Sequence, residues 1–169
     1  MPGIKTPRLL IESLTLADAD FILSMLNDPD FVANVADRGI RSLEQARQYI
    51  ADGPLRSYRE LGFGMYILRK RSTRESIGVC GLFKRAELKD VDIGYGLLPA
   101  ARGQGLALEA AQGVYDYATS ELGLTRLVAI VAPTNAPSIK LLEKLGLRYE
   151  SEIQLASSDK PVLLYAWQA

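Results

Sequence analysis

Six consecutive residues, Arg102, Gly103, Gln104, Gly105, Leu106 and Ala107, carry the most readable chemistry of this chain. They follow an apolar, glycine-bearing run over residues 91–98 and open a segment of helical period over 107–122. Such a loop leaves several backbone N–H groups unclaimed at a helix N-terminus, where the helix dipole favours an anion. Glycine at 103 and 105 removes the Cβ atoms that would hold a phosphate away. The chemistry is anion binding, and the expected ligand is a phosphate-bearing cofactor.

Two familiar phosphate loops do not fit. A P-loop ends in Gly-Lys-Ser/Thr, whereas Gly105 is followed by Leu106 and Ala107. A dinucleotide fingerprint needs a glycine where Leu108 stands, and it opens a βαβ array rather than following most of the strands. A plain chain reversal from strand to helix remains the simplest alternative for the hexapeptide alone.

Other chemistry is limited by what the chain lacks. It has no histidine and one cysteine, Cys80, so Ser-His-Asp and Cys-His systems are excluded and a zinc site is not expected. Cys80 sits in an apolar run and reads as a buried small hydrophobe. Proton transfer falls to carboxylates, tyrosines, hydroxyls, lysine or water. The 20 basic and 20 acidic residues balance, so no global field draws the chain to nucleic acid or membrane. No apolar run is long enough to span a bilayer and the N-terminus lacks a signal-peptide core, so a cytoplasmic protein is expected.

The elements that must position the loop follow from period and punctuation. A short strand over 9–11 precedes Thr15-Leu16-Ala17-Asp18, which resembles a capping box before a helix ended by Asp28-Pro29. Residues 31–41 have no clean period. Ser42-Leu43-Glu44-Gln45 reads as a second capping box, with Leu43, Ala46 and Ile50 as its stripe. Apolar runs over 63–68 and 76–83, parted by a basic turn over 69–74, make a hairpin, and a third strand covers 90–98. The turn reads as solvated, with contact to a cofactor phosphate or a partner as the alternative. After the loop come a helix to about residue 122, a continuous apolar strand over 127–131, a helix opened by Asn135, and strands over 147–153 and 162–167. This order gives an α+β fold in one domain over residues 1–169. Its mixed, mostly antiparallel sheet has about seven strands around a central parallel β-α-β unit, flanked by about four helices. Gly94 and Gly96 in the strand before the loop mark a bulge or a close approach by a ligand.

Arg102-x-x-Gly105-x-Ala107 resembles the Arg/Gln-x-x-Gly-x-Gly/Ala signature of the GCN5-related N-acetyltransferases (GNAT). Further stretches look like the ribosomal-protein, RimJ/RimL-like branch. They are residues 6–11, the strand Asp92-Ile93-Gly94-Tyr95-Gly96-Leu97, Pro99, Glu109-Ala110, Asn135-x-x-Ser138 and residues 142–146. The resemblance implies an N-acetyltransferase that binds acetyl-CoA, needs no metal and acts by direct attack of an amine in a ternary complex. Its cofactor-binding residues would be Leu97, Leu98, Arg102, Gly103, Gln104, Gly105, Leu106, Ala107, Asn135 and Ser138, with the side chain of Arg102 near the phosphates. A backbone N–H near Leu97 would serve the oxyanion. Ser138 would be the general acid, since the helix after Asn135 has no tyrosine, and Asp92 the base, directly or through water. N-capping by Asn135 and a structural role for Asp92 stand beside these roles. Tyr95 reads as core or pocket wall rather than catalyst. The acceptor would be a protein N-terminal amine or a small amine, entering beside residues 27–41, where Asp28, Asp30 and Asp37 would favour a cation. A catalytically silent acyl-CoA-binding module is the alternative. An exposed C-terminal strand would allow a homodimer.

Overall fold

The basic turn expected between the two apolar runs closes a hairpin of β3 (Met65–Lys70) and β4 (Ser76–Phe83), with Arg74 in the left-handed region at φ 66°. In this computed structural model, which describes residues 2–34, 37–156 and 158–169, the hairpin lies within one eight-stranded sheet. Before it come β1 (Ile4–Lys5) and β2 (Leu9–Ser13); after it come β5 (Asp92–Leu97), β6 (Arg126–Val131), β7 (Arg148–Ile153) and β8 (Val162–Gln168). The order across the sheet is β1-β2-β3-β4-β5-β6-β8-β7. Every pair is antiparallel except β5 with β6, joined by α5 (Leu106–Ser120). The C-terminal strand is therefore not an edge: β8 lies between β6 and β7, and the edges are β1 and β7.

Alternation along the strands divides the core between two faces. Tyr66, Leu68, Ile93 and Leu97 pack under α5 and α6 (Ala136–Leu145), whose buried side chains include Ala110, Val114 and Leu142. Ile67 and Val79 pack on the opposite face, under α1 (Ala19–Leu26) and α3 (Leu43–Ile50).

The Thr15 capping box is present, with Thr15 and Asp18 exchanging side-chain and backbone bonds around the 3₁₀ turn Leu16–Asp18. Ser42 caps α3 through the Gln45 N–H at 3.2 Å, but Gln45 Oε1 accepts from Arg41 N–H instead of the cap residue, so that box is half formed. Two helices had no counterpart in the sequence pattern. Asp28-Pro29 ends α1 but also opens α2 (Pro29–Asn34): Asp28 Oδ2 accepts from Phe31 N–H, and Pro29 takes the first helical position, where no N–H is needed. Residues 35 and 36 of the aperiodic stretch lie outside the described residues. The second is α4 (Arg56–Leu61), joined to α3 by a π-helical turn, Ala51–Leu55, whose wider winding accommodates Pro54 inside the helical run.

Glycine is required where β3 and β4 touch neighbouring backbone. A Cβ on Gly81 would stand 2.3 Å from the Gly64 carbonyl oxygen and 2.6 Å from Met65 Cα. Both are main-chain atoms that cannot rotate aside. Gly81→Ala is expected to destabilise the fold by about 1–3 kcal/mol, read as a lowered midpoint in thermal denaturation; an unchanged midpoint would show that the sheet yields there.

Candidate functional site

β5 is bonded to β4 along its whole length but to β6 at one register position, Asp92 opposite Val128, where Val128 N–H donates to the Val91 carbonyl at 3.0 Å. Beyond that point the parallel strands part. Leu98 N–H points to β4, donating to Ile77 C=O at 2.9 Å, so alternation turns the N–H and C=O groups of Leu97 and Tyr95 toward the opening. Leu98 N–H is thus already committed to the sheet.

At the wide end of this opening, the turn Pro99–Ala101 leads into the glycine loop. Gly103 and Gly105 adopt φ of 75° and 77°, in the left-handed region that disfavours other residues, and Gly105 is the N-cap of α5. Among the described residues, the N–H groups of Gly103, Gln104, Gly105, Leu106 and Ala107 have no acceptor. Unclaimed donors at the positive end of a 15-residue helix form an anion site.

The loop is braced from a direction the sequence did not indicate. Arg8 Nη1 donates to the Gln104 carbonyl and Arg8 Nε to Glu109, both at 2.8 Å. Glu109, in the first turn of α5, also accepts from Arg8 N–H and the Thr6 hydroxyl. Burial raises the Glu109 pKa, but these bonds from Thr6 and Arg8 outweigh it and hold the carboxyl below its ordinary value. The Thr6-Pro7-Arg8 stretch and Glu109 are therefore two halves of one brace. The basic turn joins it: Arg71 N–H and Nη1 donate to the carbonyls of Arg8 and Thr6 at 2.9 Å.

Arg102 points elsewhere than the sequence suggested. Its Nε donates to the Leu97 carbonyl at 3.1 Å, and its guanidinium pairs with Asp30 and, at 3.2 Å, with Asp28. Its bond to Asp30 is the main influence raising the guanidinium pKa. Asp37 likewise gives both oxygens to Arg41, and that bond lowers its pKa. Asp28, Asp30 and Asp37 thus do not form an unpaired acidic patch.

Asn135 Oδ1 accepts from Ser138 N–H at 3.3 Å, so Asn135 caps α6 while its amide nitrogen stays exposed. Because the cap uses the backbone of Ser138, its hydroxyl is free for another bond. Tyr95 supplies it: the phenol O–H donates to Ser138 Oγ at 2.8 Å. Burial raises the Tyr95 pKa, and the neighbouring Ser138 hydroxyl, able to donate to a phenolate, opposes the rise. No sequence spacing links residues 95 and 138, which lie on separate sides of the parallel unit.

Asp92 lies where the strands part, 1% exposed, and both its oxygens accept from Arg85 Nε, at 3.0 and 3.2 Å. Burial raises its pKa and the charge of Arg85 opposes the rise. Alternation places Asp92 on the face of α1 and α3, opposite Tyr95. Gly94 and Gly96 share that face in unbroken register with β4. Their missing side chains leave room for the Phe83 ring and the Met25 methyl, so their close approach is to the protein itself. Cys80 is fully buried and its thiol is pushed up to about 12 by that burial, as suits an inert hydrophobe. Among the described residues no group of His, Cys, Asp and Glu is arranged to hold a metal.

The arrangement suits a long ligand with an anionic head on the loop and amide groups along the opened strand edge. The profile of the acetyltransferase (GNAT) domain matches residues 8–148. The chain is 34% identical over 155 residues to the N-acetyltransferase p20 of Bacillus licheniformis, covering 89% of this chain and 84% of that protein. A solved acetyltransferase of Agrobacterium tumefaciens superposes with a TM-score of 0.83 at 24% identity, over 100% of this chain and 95% of the other. The ribosomal L7/L12 α-N-protein acetyltransferase RimL, solved with coenzyme A, superposes with a TM-score of 0.80 at 18% identity, over 99% and 96% of the two chains.

Proposed function

The chain belongs to the acetyltransferase (GNAT) family; from that premise we propose that it is an acetyl-CoA-dependent N-acetyltransferase whose acceptor is a primary amine, carried by a protein N-terminus or by a small molecule. The observation that carries this reading is the parting of β5 from β6 beside a loop of unclaimed N–H groups. In the proposal Gly103, Gln104, Gly105, Leu106 and Ala107 hold the diphosphate through their backbone, with the exposed amide of Asn135 nearby. Tyr95 and Leu97 face the amide-bearing arm. Acetyl-CoA supplies the activated acyl group, and direct attack by the amine needs no metal.

The residues divide by face. Leu97 and Tyr95 present N–H groups toward the opening, where developing negative charge on the acyl oxygen would be stabilised, one such donor being worth about 2.7–4 kcal/mol. Ser138 offers its hydroxyl proton to the leaving sulfur. Asp92 stands on the opposite face and takes the proton of the amine through water, since Arg85 covers its carboxylate. A base must be unprotonated, so the rate falls as pH drops through the raised Asp92 pKa. Asp92→Asn is expected to lower kcat about 10- to 100-fold and to remove that acid limb from the pH–rate profile. An unchanged limb would assign the base elsewhere.

The paired carboxylates favour an acceptor recognised by shape over a bare polycation. The buried, arginine-covered Asp92 also supports a second reading, a module that binds acyl-CoA without turnover. Thiol release from acetyl-CoA, followed across N-terminal peptides, polyamines and aminoglycosides, separates the two. Saturable release on any amine establishes transfer, whereas tight cofactor binding with no release on the whole panel leaves the module.

A further inference from the structure

Tyr95 is bound to the site more closely than a wall residue needs to be. Its backbone faces the opening between β5 and β6, and its side chain crosses toward α6 to place a phenol O–H 2.8 Å from Ser138 Oγ. Among the described residues, the hydroxyl and thiol that bear on the Tyr95 phenol are those of Ser138 in α6 and Cys80 in β4, its register partner. Cys80 is buried with its thiol held neutral, so Ser138 is the partner with chemistry to offer.

A serine hydroxyl has one proton and two acceptor lone pairs, and its proton turns to whichever acceptor is nearby. When Tyr95 donates to Oγ, one lone pair is occupied and the Ser138 proton is turned away from Tyr95. The same bond stabilises the oxygen as it gives its proton up, because a donor to an oxygen strengthens as negative charge builds there. Asn135 meanwhile fixes the backbone of Ser138 through its N–H, so the cap and the tyrosine act on different atoms of one residue.

We propose that Tyr95 is a positioning residue for Ser138: its phenol holds the serine hydroxyl as a donor directed at the sulfur that leaves acetyl-CoA. This rests on the transfer reading above. The amine nitrogen forms a bond to the acetyl carbon, the C–S bond breaks with its electron pair going to sulfur, sulfur takes the Ser138 proton, and the amine proton leaves through water to Asp92. Tyr95 keeps its own proton, and Ser138 regains one from water.

The test uses Tyr95→Phe, which keeps the ring and removes the donor, and reads the thiol of bound coenzyme A by thiolate ultraviolet absorbance between pH 6.5 and 10. In the wild-type protein the bound thiol is expected to titrate about one pH unit lower than in Tyr95→Phe, the shift expected of one directed hydrogen bond. With acetyl-CoA and an active amine, kcat should fall about 10-fold or more with KM for acetyl-CoA nearly unchanged. In a Ser138→Ala background, Tyr95→Phe should cost nothing further, because it acts through the missing hydroxyl. Identical thiol titrations in wild type and Tyr95→Phe, or an equal further loss in the double variant, overturn the proposal. Failure of the wild-type protein to bind coenzyme A would instead remove the transfer reading, and the role of Tyr95 with it.

Discussion

Gly105→Glu is expected to weaken coenzyme A binding at least about 100-fold while leaving a folded protein. The expectation comes from opposing effects at one position. Gly105 holds φ 77°, so any side chain there brings a left-handed penalty of about 1–2 kcal/mol. Space is not the obstacle, since a Cβ would meet only Arg8 Nη2 at 3.5 Å, an ordinary contact. A carboxylate at a helix N-terminus also interacts well with the dipole, which offsets part of the strain and keeps α5 formed. In the proposed complex those same groups hold the diphosphate. Each charge-assisted bond to it is worth about 1.5–3 kcal/mol, and a fixed negative charge both competes for the donors and repels the ligand. Gly105→Ala brings the strain without the charge and should weaken binding only several-fold. Calorimetric titration with coenzyme A, alongside thermal midpoints, reads both variants. Unchanged affinity in Gly105→Glu would remove the diphosphate from this loop.

Ser138→Ala is expected to lower kcat by about 10²–10⁴-fold, the usual range for losing a general acid, with little change in acetyl-CoA affinity. A capping explanation for the residue predicts the reverse pattern. The cap bond runs from Ser138 N–H to Asn135 Oδ1 and survives in alanine, so α6 keeps its N-terminus and stability should move little. Steady-state kinetics with the acceptor found in the amine panel check this. Turnover equal to wild type would leave Ser138 as a helix residue whose side chain has no part in the reaction.

How far the sequence was legible follows from which interactions are local. The glycine loop could be read because positive φ, missing Cβ atoms and an open helix end are all properties of consecutive residues. The parallel unit around it was legible for the same reason, since a continuous apolar strand after a helix has few places to go. Capping by Asn135 needed only the next three residues. Arg102 shows the limit: its place at the head of the loop was legible, but the direction of its side chain depends on Asp28 and Asp30, which reach it only through the fold. Arg8 with Glu109, Arg85 with Asp92, and Tyr95 with Ser138 are further pairings that no period announces. Two helices were missed for local reasons. At Asp28-Pro29 a stop and a start signal coincide, and α4 (sequence RSYREL) is mostly polar, lacks a capping residue and follows Pro54.

The Arg102 contacts carry a consequence for redesign. One guanidinium ties the end of β5 to the start of α2, through the Leu97 carbonyl on one side and Asp28 and Asp30 on the other. Asp28 also caps α2. Grafting a foreign α1–α2 segment would therefore disturb the opened end of β5 unless both aspartates travel with it. The end of β5 and the start of α2 are held as one unit by a single side chain and are not interchangeable modules.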